Sequence, residues 1–240
     1  MPVFNERTTI ERIVDRVLNV PIQKELIIVD DGSTDGTRIW LQKRFTRIPS
    51  ASPTGAVAIF GSTPQSSQVR VMYLTTNMGK GAALRRGFTE AKGDIVLVQD
   101  ADLEYDPQDY PRLIEPIVAH RAEVVYGSRF LGPSRSSWPM FGYLGNKLVT
   151  SFVNIVTGLE LTDVWTGYKV FHRKVLEGLI LQESGFELEI ELTVKIAHAK
   201  WRVGEVPISY APRTKVEGKK IRWLDGIKAL RCTVKYAKEF

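Results

Sequence analysis

Cysteine is almost absent from this chain. Cys232 is the only one in 240 residues, which excludes an internal disulfide and a cysteine-built zinc site and suits a reducing compartment. It is a poor candidate nucleophile, because it lies in a helical, basic tail far in sequence from the acidic loops described below. Long apolar runs are missing too. Outside a Pro/Gly/Ser-rich loop the longest uncharged stretch is Leu148 to Leu159, short of the roughly 20 residues a spanning helix needs. No secretory signal opens the chain. There is no internal repeat and no dividing linker, so residues 1–240 read as a single domain. Excess charge is missing from most of that length. Of 33 basic and 27 acidic residues, nine and three lie between Arg213 and Phe240, leaving 24 of each elsewhere. The whole net charge of +6 is therefore carboxy-terminal. A basic end points to a polyanion, a phosphate or anionic lipid, and without an accompanying nucleic-acid motif it does not point to nucleic acid.

Two acidic loops stand out against this ordinary background. Asp100-Ala101-Asp102 follows the apolar run Ile95–Val98, and Asp30-Asp31-Gly32-Ser33-Thr34-Asp35-Gly36-Thr37 follows Leu26–Val29. Both runs read as buried strands, and acids just past a strand's carboxyl end sit where open α/β sheets bind ligands. Two neighbouring carboxylates repel unless a cation joins them. Oxygen-only ligands favour Mg2+ or Mn2+. The same spacing also suits a solvated acidic turn. In the upstream loop the acids can accept hydrogen bonds from a base or ribose, or simply cap a helix from Thr37 to Phe45.

Strand and helix signals alternate along the chain. Ile10, Ile13, Val14, Val17 and Leu18 fall at helical spacing behind a capping box at Thr8 and Glu11. Val69–Leu74 and Val124–Tyr126 read as strands, with a short further strand at Ala56–Phe60 inside the loop from Ile48 to Gln68. Gly81–Ala91 and the stretch from Tyr110 to Val118 read as helices. This alternation predicts an α/β fold with a doubly wound, mostly parallel sheet flanked by helices. Pro2-Val3-Phe4-Asn5-Glu6 reads as the loop after a strand, so the first strand is expected to be truncated to what Met1 to Phe4 can supply.

The motifs, in order, resemble the family 2 glycosyltransferases of the GT-A fold, and within them the dolichyl- and polyprenyl-phosphate sugar synthases. They are Pro2–Glu6, Val29–Thr37, Asn77–Ala82, Gly93-Asp94, Asp100–Glu104, Gly127-Ser128-Arg129, Thr166–Lys169 and Glu217–Lys220. The resemblance implies an inverting, metal-dependent transfer of a hexose from a GDP- or UDP-linked nucleotide sugar to a polyprenyl phosphate. It assigns Pro2, Phe4, Glu6, Asp31, Lys80, Asp100, Ala101 and Lys220 to the nucleotide sugar. Asp100, Asp102 and Glu104 go to Mg2+ or Mn2+. Arg129, Arg135 and Arg213 go to the acceptor phosphate, with Asp102 and Arg129 as catalytic residues. Phe4 stands where Tyr is more usual and Glu104 where Gln is common. Lys80 could contact phosphate or merely solvate a turn.

A phosphate acceptor is already ionised and needs no protein base. A hydroxyl acceptor would need one, and Glu187, Glu189 and Glu191 are the residues to consider. The same acids suit the positive end of a helix running to Lys200. A lipid acceptor requires contact with a membrane surface. Asn146–Thr157 and Ile221–Lys238 are the stretches that could make it. In the second, Trp223, Ile227, Leu230, Val234 and Ala237 form an apolar stripe flanked by Lys228, Arg231, Lys235 and Lys238. Residues 221–240 are thus expected to form a basic amphipathic helix, either interfacial or packed on the domain. The protein as a whole is expected to be cytoplasmic and peripheral at the cytoplasmic membrane face.

Overall fold

Leu26–Val29 and Val124–Tyr126 form strands whose side chains alternate between two cores, as the two-residue period of a strand demands. The computed structural model describes residues 1–45, 58–60, 68–132, 140–213 and 223–239. In chain order the elements are β1 (Pro2–Val3), α1 (Ile10–Asn19), β2 (Glu25–Asp30), α2 (Thr37–Phe45), β3 (Ala58–Phe60), β4 (Gln68–Tyr73), α3 (Lys80–Glu90) and β5 (Ile95–Leu97). They continue with α4 (Tyr110–Val118), β6 (Val124–Ser128), α5 (Met140–Thr157), β7 (Lys169–His172), α6 (Arg173–Glu177), α7 (Leu188–His198), β8 (Val203–Pro207) and α8 (Trp223–Ala237).

The strands form two four-stranded sheets, ordered β1-β2-β4-β3 and β5-β7-β6-β8. β1, β2 and β4 run parallel, as do β6 and β8. β3 is antiparallel to β4, and β7 is antiparallel to both β5 and β6. The class is the α/β layering expected, with antiparallel pairs mixed into it. β7 was not foreseen, because Lys169–His172 lacks the long apolar run that marked the other strands. The first strand is short: β1 is two residues long.

One apolar cluster is common to both sheets. It joins Val3, Ile28 and Val71 of the first sheet to Val125 and Val170 of the second, under Ile13 and Val17 of α1 and Leu113 of α4. The opposite face of the second sheet packs Tyr126 and Phe171 on α5, α7 and α8. Val29 and Met72 pack under Ala83 of α3 on the opposite face of the first sheet. From Leu188 to Ile196 every residue of α7 is buried, charged ones included.

The capping box needs correction. α1 begins at Ile10, and Thr9, not Thr8, occupies the cap position without a side-chain cap bond. Its hydroxyl instead donates to Glu6, 2.8 Å from Oε2, so the residue at the cap position holds a site acid.

Candidate active site

The loops that leave β1, β2 and β5 meet at one edge of the molecule, and hydrogen bonds between side chains and backbone lock the first two together. Asn5 has a φ of 52°, a conformation its short polar side chain tolerates. Its N–H donates to Ser33 Oγ at 2.9 Å and its Oδ1 accepts from Thr34 N at 2.8 Å. Glu6 N donates to Thr37 Oγ1 at 2.9 Å. Asp31, 2% exposed, accepts from the backbone N–H groups of Met78 and Gly79 at 2.7 and 2.8 Å. It thereby draws the Asn77–Gly79 loop over the end of β2. Gly79 has a φ of 97°, and a Cβ there would strike the carbonyl of Ser184. Only glycine lets α3 start this close to the segment before α7.

That start aims Lys80 into the site. Lys80 Nζ lies 3.0 Å from Asp100 and 2.8 Å from Glu189 Oε1. Burial works against its charge, but Asp100 and Glu189 outweigh burial and raise its pKa above the ordinary lysine value. The other oxygen of Glu189 lies 3.3 Å from Lys169 Nζ. For Lys169 burial outweighs Glu189 and the pKa falls. Asp100 itself is fixed from behind: Gln99 Nε2 donates to its carbonyl at 2.9 Å, while Gln99 Oε1 accepts from the hydroxyls of Tyr110 and Tyr168. Gly167 passes so close that a Cβ would run into Asp100 Oδ2.

Asp102 faces the other way. Its Oδ2 is 3.0 Å from Arg213 Nη2, which also lies 2.9 Å from Glu6 Oε1. Glu104, expected as a third metal ligand, is engaged elsewhere. Its oxygens accept from Tyr210 Oη at 2.9 Å and from Arg213 N at 2.8 Å. Among the described residues no three acidic, His or Cys side chains gather as a metal cluster. Of the expected triad, Asp100 and Asp102 each face a cationic side chain, and Glu104 faces Tyr210 and the Arg213 backbone. Their all-oxygen donor chemistry still fits a hard divalent cation.

The remaining expected residues fall into three groups. Pro2 pairs within β1 opposite Val29, and Phe4 is half-buried on the loop that follows. Ala101 is 4% exposed and points into the common core, so its side chain supports the loop from beneath. Arg129, expected on the acceptor phosphate, is 3% exposed. Its Nε and Nη2 lie 2.6 and 2.7 Å from the two oxygens of Asp163. Burial opposes the Asp163 carboxylate, but Arg129 outweighs it and holds the pKa below the usual range. Asn146 of α5 donates to the same carboxylate at 2.9 Å. Arg135 and Lys220 lie outside the described residues. Asp163 carries no sequence signal, since it sits in a loop without periodicity or motif.

The three acids before and within α7 have separate duties. Glu187 reaches Lys228 of α8 at 3.3 Å, and Glu189 holds Lys80 and Lys169. Glu191, 0% exposed, accepts from Gln182 N and Lys195 Nζ.

This geometry has known relatives. The family model described as "Glycosyl transferase family 2" matches residues 1–180. The chain belongs to glycosyl transferase family 2. As a family 2 member it is an enzyme of the glycosyltransferase class. The polyprenol monophosphomannose synthase of Mycolicibacterium smegmatis is 31% identical over 92% of this chain and 81% of its own length. The undecaprenyl-phosphate mannosyltransferase of Micrococcus luteus is 28% identical over 91% and 85%. The dolichol-phosphate mannosyltransferase of Pyrococcus furiosus is 29% identical over 91% of this chain, which spans 57% of that relative's length. Among solved structures, glucosyl-3-phosphoglycerate synthase from Mycobacterium tuberculosis shares the fold with a TM-score of 0.69 at 20% identity. The match covers 99% of this chain and 78% of that one. That synthase has also been solved with Mn2+, UDP-glucose and phosphoglyceric acid.

Proposed function

We propose that this family 2 enzyme transfers a hexose, with inversion, from a nucleoside-diphosphate sugar to a polyprenyl phosphate. The observation that carries this reading is the meeting of Asp100 and Asp102 with Lys80 and Arg213 at the ends of β1, β2 and β5. Carboxylates that can take a hard cation, beside two basic side chains, suit a departing nucleoside diphosphate. Relatives named for polyprenyl-phosphate mannose transfer, and a neighbour solved with Mn2+ and UDP-glucose, support the same donor and acceptor classes.

In this reading Asp100 and Asp102 would hold Mg2+ or Mn2+, which supplies charge stabilisation to the leaving diphosphate when bound. Lys80 and Arg213 add fixed positive charge beside it. Glu6 and Asp31 lie where base and ribose would be read, with Phe4 as a stacking face. The acceptor needs no base, because a phosphate monoester is ionised at neutral pH. That suits the disposition of Glu187, Glu189 and Glu191, each held by a lysine. Arg129 then acts from beneath the acceptor side, ordered by Asp163.

The acceptor's lipid tail calls for a membrane face, and α5 with α8 offers one. Leu144, Leu148 and Ile155 of α5, and Leu224, Ile227 and Val234 of α8, are all exposed. Between the helices runs a groove of about 420 Å³ with Phe152 and Leu230 in its wall and Arg231 and Lys238 on it. An outward apolar stripe with basic residues alongside matches an anionic bilayer surface. No helix among the described residues is long and apolar enough to cross a membrane. The outward apolar and basic face of α5 and α8 supports our reading of peripheral contact with the cytoplasmic face of a membrane.

The test is a matrix of GDP- and UDP-sugars against undecaprenyl and dolichyl phosphate, with Mg2+, Mn2+ or EDTA. Cation-dependent label in the organic phase, as an inverted glycosyl phosphate, is expected. Label confined to the aqueous phase in every combination would remove the polyprenyl acceptor.

A further inference from the structure

Both acids of the Asp100-Ala101-Asp102 loop already face a basic side chain, and each base touches a second acid. Lys80 lies between Asp100 at 3.0 Å and Glu189 at 2.8 Å. Arg213 lies between Asp102 at 3.0 Å and Glu6 at 2.9 Å. Both are cationic side chains: arginine does not deprotonate in proteins, and the Lys80 ammonium lies within 3.0 Å of two carboxylates. Together they bring two positive charges to two carboxylates, the same charge a divalent cation would bring. A cation arriving alone meets two carboxylates that already have cationic partners, and it must displace or sit beside two like charges. A cation arriving with a nucleoside-diphosphate sugar adds no net charge, since that donor carries two negative charges. The diphosphate also offers oxygens to the displaced bases, for which a guanidinium is well shaped.

We infer that Lys80 and Arg213 are resident counter-cations that make metal and nucleotide bind together, each weakly without the other. The inference rests on the donor-site reading above. Glu189 and Glu6 are the second berths: they keep the two bases near while Asp100 and Asp102 change partners. Linkage requires the effect to be mutual, so nucleotide strengthens metal binding by the factor that metal strengthens nucleotide binding.

Isothermal titration on the full chain tests this with Mn2+ alone, with UDP or GDP alone, and with Mn2+ at saturating nucleotide. In the wild type the nucleotide is expected to tighten Mn2+ by about tenfold or more, an ordinary size for coupled sites. In Lys80→Met and in Arg213→Gln, Mn2+ alone should bind about tenfold tighter than to wild type, and the gain on adding nucleotide should shrink. A merely structural role predicts the reverse, a loss of both. The second variant covers the chance that Lys80→Met does not fold, and a melting curve on each distinguishes the cases. If neither folded variant gains affinity for Mn2+ alone while the wild type still takes Mn2+ with nucleotide, the counter-cation role is overturned and the donor site stands. If the wild type takes no Mn2+ even with nucleotide, the donor-site reading falls and this inference with it.

Discussion

Asp102 is the most exposed to test of the site acids, because its carboxylate pairs with Arg213 and supports no buried core. Asp102→Asn should lower turnover by at least about 10²-fold, the usual loss when a group stabilising charge in the transition state is removed. The melting temperature should stay close to wild type. Unchanged turnover would remove Asp102 from the site. At this scale the sequence was informative wherever an acid ends an apolar run. Asp31, Asp100 and Asp102 stand out that way, Glu6 and Lys80 fall within the matching motifs, and Arg213 lies outside them. What it could not show was pairing. Asp163 lies in a loop between α5 and β7, and only the fold brings it onto Arg129. Glu189 was legible as an acid at a helix start. Its hold on two lysines depends on α7 being buried from Leu188 to Ile196.

Among the elements, α8 is packed on the domain and also presents apolar side chains outward. The helix packs through Ala229, Cys232, Thr233 and Tyr236, while Leu224, Ile227, Leu230 and Val234 stay outward. The apolar stripe is therefore a second face and not the packed one. A periodicity count finds the larger side chains and takes them for the buried set. Here small and polar residues fill the tight contact instead. The buried Cys232 thiol, pushed up to about 12 by burial, belongs to that packed face. Replacing Ile227 and Leu230 together by Glu should cut partition onto anionic vesicles by at least about tenfold, since two exposed apolar side chains lose their burial in lipid. Activity on a short soluble acceptor should hold. Equal loss on both acceptors would count against a membrane-facing α8. The strands β7 and β8 escaped notice because Lys169 and Glu205 interrupt their apolar character. Both are accounted for in the structure. Lys169 is buried on Glu189, and Glu205 accepts the backbone N–H groups of Thr162 and Asp163.

Over the whole molecule, the layered α/β class and most of the central elements were legible from alternation alone. The division into two sheets was not, because strand pairing is a long-range property. Acid stability is set at this scale by buried pairs. The Asp163 pKa is held down in the folded state, so its pairing stabilises the protein above the ordinary carboxylate value of about 3.9. That contribution fades as the pH falls through that value toward the lower folded one. Glu205, whose pKa burial raises, works in the opposite sense, so the comparison must be between variants. Arg129→Met combined with Asp163→Asn should lose less stability than wild type between pH 7 and pH 3, measured by urea midpoints. Parallel losses in the two proteins would mean that the pair does not contribute to the acid transition. Removing Arg129 alone strands a buried carboxylate and should cost about 3–5 kcal/mol at pH 7.

The two-residue β1 carries one more consequence. Main-chain ladders run within each sheet and stop at their boundary, so beyond the common apolar cluster the halves are clasped by charged side chains. Lys80 reaches across to Asp100, and Glu6 reaches to Arg213. Under the proposed function those clasps border the bound donor, so any exchange of their partners would also alter the contacts between the two plates.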